Sequence, residues 1–263
     1  MNRSEIIEIL RGIVRRRRIE HPTETKWGRP LVAFAAADDP LFGQFKRMVS
    51  PTHAMPHDLL GSARTVVVFY LPFDESIADS NISGKSASEQ WARAYIETNA
   101  MIVDICTHMK ERIEADGAAA VAVTPATHNF DPQKLISDWS HRHVAVAAGL
   151  GTLGINNMLI TDSGCCGRLG SFVTSLDLQP DARCEQETCL YRHNRSCGWC
   201  VKRCVGEALF EDRFDRGKCY DICRANEEMH KQIGAADVCG KCVVDVPCAF
   251  ANPVKKLAAR ARN

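Results

Sequence analysis

No apolar run in this chain reaches the roughly 18 residues a membrane-crossing helix requires, so no segment is expected to span a bilayer. The opening stretch, MNRSEIIEILRGIVRRRRIE, lacks both an uninterrupted apolar core and a small-residue cleavage site, so a secretory leader is not expected. The Arg15–Arg18 run leads into Ile-Glu-His-Pro and does not read as a twin-arginine signal. Net charge is nearly absent too: 33 Lys and Arg against 32 Asp and Glu leave +1. That balance argues against a surface that coats nucleic acid, although a local basic patch remains compatible with it. No internal repeat is visible over residues 1–180. These absences point to a cytoplasmic protein whose thiols serve as metal ligands rather than disulfides.

Cysteine is what the chain has in quantity. Ten of its 13 cysteines fall between Cys184 and Cys248. The run reads Cys189-x7-Cys197-x2-Cys200-x3-Cys204, then Cys219, then Cys239-x2-Cys242-x5-Cys248. The x2/x3 rhythm at Cys197, Cys200 and Cys204 is that of a cluster-binding loop, in which the last thiolate serves a different cluster from its neighbours. Zinc sites usually show two separated Cys-x2-Cys pairs instead, and zinc, disulfides and reactive thiols remain the competing readings. Two interleaved groups of four thiolates match the requirement of two oxygen-sensitive [4Fe–4S] clusters. Cys184 competes with Cys189 for the first position, and Cys223, four residues after Cys219, could replace it.

With 263 residues, 45% hydrophobic and 25% charged, the chain has the size and composition of a globular protein of one large domain or two moderate ones. Ser4 is expected to cap a first helix, with Ile6, Leu10, Ile13 and Val14 on its apolar face and the arginine run at its C-terminal end. Leu31–Ala36 reads as a strand, and Asp39-Pro40 opens a helix bearing Leu41, Phe42, Phe45 and Val49. Thr65–Leu71 is an unbroken β-branched and aromatic run, suited to a strand covered on both faces. Residues 74–87 read as loop. A long helix should follow from Ser88 to Ala115, with Gly117 as its stop and Cys106 buried beside its apolar stripe. Further strands are expected at Ala118–Ala126, Met158–Thr161 and Ser171–Leu178, and a helix from Asp131-Pro132 to Ala148. The fold class is α+β: a layered domain with a mixed sheet over residues 1–180, then a small ferredoxin-like module over 181–263.

The loop AAGLGTLGINNMLIT, residues 147–161, carries Gly149, Gly151 and Gly154 at spacings that match part of a dinucleotide fingerprint. It leaves a helix and enters a strand, the reverse of the nucleotide-binding context. Its glycines serve either a tight helix-to-strand turn or close backbone approach to something broad and flat. The strand SARTVVVFYLPF, this loop, the strand GSFVTSLDL and the two cysteine groups, in that order, resemble the epoxyqueuosine reductase family, itself related to corrinoid-dependent reductive dehalogenases. The resemblance covers residues 55–250.

That resemblance implies a cobalamin-binding domain followed by a two-cluster module. One cluster would sit on Cys189, Cys197, Cys200 and Cys248, and the other on Cys204, Cys219, Cys239 and Cys242. The corrinoid would lie under the glycine loop, near Gly149, Gly151, Thr152, Gly154 and Asn156. Electrons would come from a redox partner such as ferredoxin or flavodoxin and pass to a small-molecule or tRNA-borne substrate. Several features depart from the family pattern. The gap before Cys197 is long, Val205 replaces a proline, and the gap from Cys242 to Cys248 is longer by two. No aspartate stands where the family's presumed proton donor falls, with Leu135 closest, and no helical-repeat extension follows the module in this sequence. The reductase scaffold is therefore expected ahead of the tRNA substrate.

Asp138 and His141, three apart on the expected helix, are the candidate proton donors, with a structural polar pair as the alternative. His143 would point elsewhere, and Cys165-Cys166 reads as an unused thiol pair in a glycine-rich turn. The rival function is an electron carrier or activator with no corrinoid and no substrate of its own.

Overall fold

The computed structural model describes residues 1–20, 23–124 and 129–260, without the side chains of Arg18, Glu20 and Arg260. In order, the elements are α1 (Arg3–Glu20), β1 (Leu31–Ala36), α2 (Pro40–Met48), α3 (Pro56–Leu59), β2 (Thr65–Pro72), α4 (Glu75–Ser80) and α5 (Glu89–Ala115). They continue with β3 (Ala120–Val123), β4 (Phe130–Asp131), β5 (Ile136–Ser137), α6 (His141–Ala147), β6 (Thr152–Leu153), β7 (Leu159–Ile160) and β8 (Gly167–Thr174). The cysteine-rich segment adds α7 (Leu190–Asn194), α8 (Trp199–Lys202), α9 (Arg216–Met229) and α10 (Pro253–Arg260).

One four-stranded sheet, in the order β1-β2-β8-β3, organises the molecule. Every pairing in it is antiparallel, with Val67 opposite Phe34 and Phe172. The mixed sheet expected from the sequence is therefore replaced by an antiparallel one. An apolar run reports that a strand is covered on both faces, and helices can cover both faces of a sheet of either kind. Strand periodicity then divides β2 between two cores. Val67, Phe69 and Leu71 face α1 and α5, together with Ile6, Leu10, Ile102, Ile105 and Phe172. Val66 and Val68 face α2 and α6, with Phe42, Phe45, Val144 and Val173. The first of these cores continues without a break into the cysteine segment through Leu209, Val243, Val244 and Val246.

Local chemistry explains most element ends. Asp39 caps α2 by accepting from Leu41 N at 2.8 Å, and Ser88 caps α5 by accepting from Trp91 N at 3.1 Å. Gly117 takes a left-handed φ of 81° just past the end of α5, the position that favours glycine. Three expectations are corrected. The cap of α1 is Asn2, not Ser4: Asn2 Oδ1 accepts from Glu5 N, and Glu5 Oε2 accepts from Asn2 N, a reciprocal pair. Residues 75–80 form α4 rather than loop, because Asp74 caps them and Ile77 and Ala78 anchor them in the core.

The helix expected over 131–148 is the largest miss. Asp131 Oδ1 accepts from Gln133 N and Lys134 N, an Asx-type turn, and Leu135 follows at a left-handed φ of 53°. The chain therefore makes the β4–β5 hairpin, and helix begins only at His141. Smaller shifts place the strands at Leu159–Ile160, Gly167–Thr174 and Ala120–Val123, while residues 125–126 of that last expected strand lie outside the described residues. Among the described residues no helix is long and apolar enough to cross a membrane.

Candidate metal centre

The cysteine segment folds as short helices joined by tight turns, and these turns aim thiols inward. Cys189 sits at the start of α7, Cys197 precedes the turn into α8, and Cys200 lies on α8. Cys248 arrives from the other sequence group, held by Cys165 N donating to Cys248 O at 2.9 Å. All four line one pocket that opens to solvent. Ile155, Asn156 and Ile160 of the glycine-loop region and Val246 and Pro247 contribute to its wall. Burial pushes the Cys200 thiol up to about 12, and nearby Cys248, Cys189 and Cys197 add to the rise. Cys184 is elsewhere: it is exposed and donates to Gly149 O at 3.2 Å.

The second set, Cys204, Cys219, Cys239 and Cys242, is half-buried throughout. Burial raises the Cys242 thiol well above its ordinary value, and Cys239, Cys219, Cys200 and Cys204 act on it in turn. The presence of Cys200 in that group means that the two sets are neighbours. Cys204 Sγ accepts from Ala208 N at 3.3 Å. Cys219 is lowered to about 7, first by a hydrogen bond from Cys223 on the same face of α9, with Arg142 favouring its thiolate as well. Two further residues, invisible to motif reading, steady this set. Lys241 is buried between Cys239 and Cys242 and donates to Asn81 O at 2.8 Å and Ser83 O at 2.6 Å. Asn81 Nδ2 donates to Cys239 O at 2.9 Å. A lysine inside an otherwise cysteine-rich Cys-Gly-Lys-Cys turn was the available signal.

The glycine loop lies against this module. A Cβ on Gly149 would fall 2.2 Å from Ala182 O, and one on Gly151 would fall 2.1 Å from Ile160 O. One on Gly154 would meet Asn156 Oδ1 at 2.6 Å. The close approaches are thus to the chain's own atoms. Thr152 Oγ1 contacts Thr188 Oγ1 at 2.8 Å, and Asn156 Nδ2 donates to Cys242 O at 3.3 Å. Both side chains dock the loop onto the cysteine segment.

Asp138 and His141 do not share a helical face. Asp138 precedes α6 and accepts from Asn129 N at 2.8 Å, whereas His141 Nδ1 lies 3.0 Å from Ser171 Oγ in the sheet. The intervening Trp139 is buried, with Nε1 donating to Ser171 Oγ, and Ser140 N donates to His53 Nε2 at 3.0 Å. His53 is therefore held as the neutral tautomer protonated on Nδ1, which faces Ala54 O at 2.9 Å, and burial lowers its pKa. His143 is lowered to about 4, chiefly by burial and then by Arg142. Neutral imidazoles accept or relay protons near neutral pH but do not arrive as cationic donors.

No family model matches the chain, and no curated protein matches it by sequence. Solved structures do. An epoxyqueuosine reductase from Streptococcus thermophilus superposes with a TM-score of 0.58 at 16% identity, covering 95% of this chain and 66% of that one. An epoxyqueuosine reductase with an epoxyqueuosine-modified tRNA-Tyr stem loop gives 0.55 at 18% identity, covering 91% of this chain and 63% of that one. A reductive dehalogenase whose structure suggests a mechanism for B12-dependent dehalogenation gives 0.58 at 18%, covering 88% of this chain and 32% of that one. The chain thus spans less than two thirds of the reductases' length. At these identities the likeness is one of architecture: the chain has the fold shared by epoxyqueuosine reductases and reductive dehalogenases.

Proposed function

We propose that this chain is an iron–sulfur reductase in which two [4Fe–4S] clusters relay single electrons. One would be held by Cys189, Cys197, Cys200 and Cys248, and the other by Cys204, Cys219, Cys239 and Cys242. The cavity that Cys189, Cys197, Cys200 and Cys248 line together carries this reading, since it gathers thiols from both sequence groups. Among the described residues no group of three or more His, Cys, Asp or Glu side chains is arranged to hold a metal ion. The reading rests instead on the cysteine spacing and on four thiols from both sequence groups lining one pocket, the ligand number of a [4Fe–4S] cluster. Residues 1–180 would form the substrate-facing part and 181–263 the electron-relay part. A ferredoxin or flavodoxin would be the donor.

A bound corrinoid would supply the cobalt chemistry that reduces a small-molecule or tRNA-borne substrate. Gly149 and Gly151 do not by themselves provide its cradle, because Ala182 O and Ile160 O occupy the space their missing side chains leave. That observation favours a second reading, an electron carrier or activator whose sheet domain docks a partner. Reconstitution without oxygen tests both. About eight iron and eight sulfide per chain are expected, and stoichiometric zinc without sulfide would refute the cluster reading. Co-elution of added cobalamin with the iron–sulfur chromophore selects the corrinoid reductase, and the chromophore alone selects the carrier.

A further inference from the structure

Each set of four thiols has a fifth cysteine against it. At the first, Cys165 is buried with Sγ 3.9 Å from Cys248 Sγ, yet it is not part of the cavity wall. It cannot swing inward cheaply, because Cys165 N and Cys166 N donate to Cys248 O and Ala249 O and pin the turn behind the wall. A Cβ on Gly164, just before it, would meet Ala249 O at 2.2 Å, so the two backbones are in contact. At the second set, Cys223 follows Cys219 by one turn of α9, which places the two thiols side by side on one helical face. Cys242 has Cys239, Cys219, Cys200 and Cys204 as neighbours, whereas Cys223 has Cys219, Cys239 and the carboxylate of Asp237.

A third group points the same way. Tyr70 is buried in β2, and its hydroxyl has no hydrogen-bond partner among the described residues. Burial raises its pKa, and the nearby thiols Cys165, Cys166 and Cys248 add to the rise. A buried hydroxyl without an acceptor is costly, and a thiolate fixed as an anion by a cluster would provide one.

We infer that Cys165 and Cys223 are not ligands but hydrogen-bond donors to ligands. Cys165 S–H donates to Cys248, with Tyr70 O–H beside it, and Cys223 S–H donates to Cys219. The inference rests on the two-cluster reading. Hydrogen bonds to ligating sulfur stabilise the more negative, reduced cluster and so raise its potential. Each cluster would carry its own device, and the two potentials would be set independently.

The test uses the full chain, reconstituted without oxygen, as Cys165→Ala, Cys223→Ala, their serine counterparts and Tyr70→Phe. Iron, sulfide and EPR-monitored redox titrations are read together. Each alanine variant should keep the parent's iron and sulfide, while one cluster signal moves to a more negative midpoint. The signal that moves should differ between Cys165→Ala and Cys223→Ala, and serine, which keeps a donor, should restore most of the shift. Tyr70→Phe should move the same signal as Cys165→Ala. Iron halved in either alanine variant would make that cysteine a ligand and overturn the assignment, as would unmoved midpoints at full iron content. A parent chain that takes up no iron or sulfide would overturn the two-cluster reading itself, and the donor role with it.

Discussion

Gly240→Ala offers the most direct probe of how the cysteine segment is seated. Gly240 lies between Cys239 and Cys242 at a left-handed φ of 72°. A Cβ there would fall 2.2 Å from Trp91 Cε2 and 2.4 Å from Trp91 Nε1. The indole has no room to yield, since Phe73 packs edge-on against it with ring centroids 5.4 Å apart. Two costs add: about 1–2 kcal/mol for a side chain in the left-handed region and about 1–3 kcal/mol for overpacking. The sum, about 2–5 kcal/mol, is a large share of the roughly 5–15 kcal/mol that holds a typical domain together. Gly84→Ala is the control. Gly84 has a φ of 73° but nothing within 4 Å of its missing side chain, so it bears the first cost alone. Urea unfolding of the oxygen-free protein should place Gly240→Ala well below Gly84→Ala, with iron lost from the set containing Cys239 and Cys242. Equal stabilities in the two variants would refute the seating described for Trp91.

Cys204→Ala and Cys248→Ala should each leave roughly four iron per chain rather than none, damaging different EPR signals, whereas Cys184→Ser should leave iron content unchanged. His143 should make stability depend on pH. Its folded value of about 4 lies below the ordinary 6.5, so protonation favours the unfolded chain. The contribution is full above pH 6.5 and is lost as pH falls toward 4, by up to about 3 kcal/mol; His143→Gln should flatten that part of a denaturation series. Asp39→Ala removes both the α2 cap and the pair with Arg183 at 2.9 Å, and should cost about 1–2 kcal/mol in the same assay.

Elements whose signal is local are legible in the sequence. The strand at Leu31–Ala36, the Asp39-Pro40 helix start and the helix capped by Ser88 all came from periodicity and capping chemistry that act within a few residues. Residues 131–148 failed for the opposite reason. The hairpin is fixed by Asp131 accepting backbone N–H groups locally and by Trp139 reaching Ser171, 32 positions away. Apolar spacing carries neither fact. In the site, the spacing of Cys197, Cys200 and Cys204 marked the loop, but which thiols stand together depends on chain return. That is why Cys165 and Tyr70, far upstream, were invisible as neighbours of Cys248. Lys241 was overlooked because a buried cation is expected only where carbonyls are waiting, and those belong to Asn81 and Ser83.

The return of Cys248 to the group containing Cys189 also makes the segment a closed circuit. Any inorganic centre that joins them ties off a loop of about 60 residues, worth about 4 kcal/mol in chain entropy on the scale used for covalent cross-links. The helices inside that loop have little else to hold them: α7 buries no residue, and α9 buries only Asn226. Helices so poor in apolar anchorage would hold their places through such a centre, while Leu209, Val243 and Val244 fix the turns between them to the core of the sheet. Without such a centre those helices would loosen, leaving this stretch of the chain open to proteases while the sheet beside it stands.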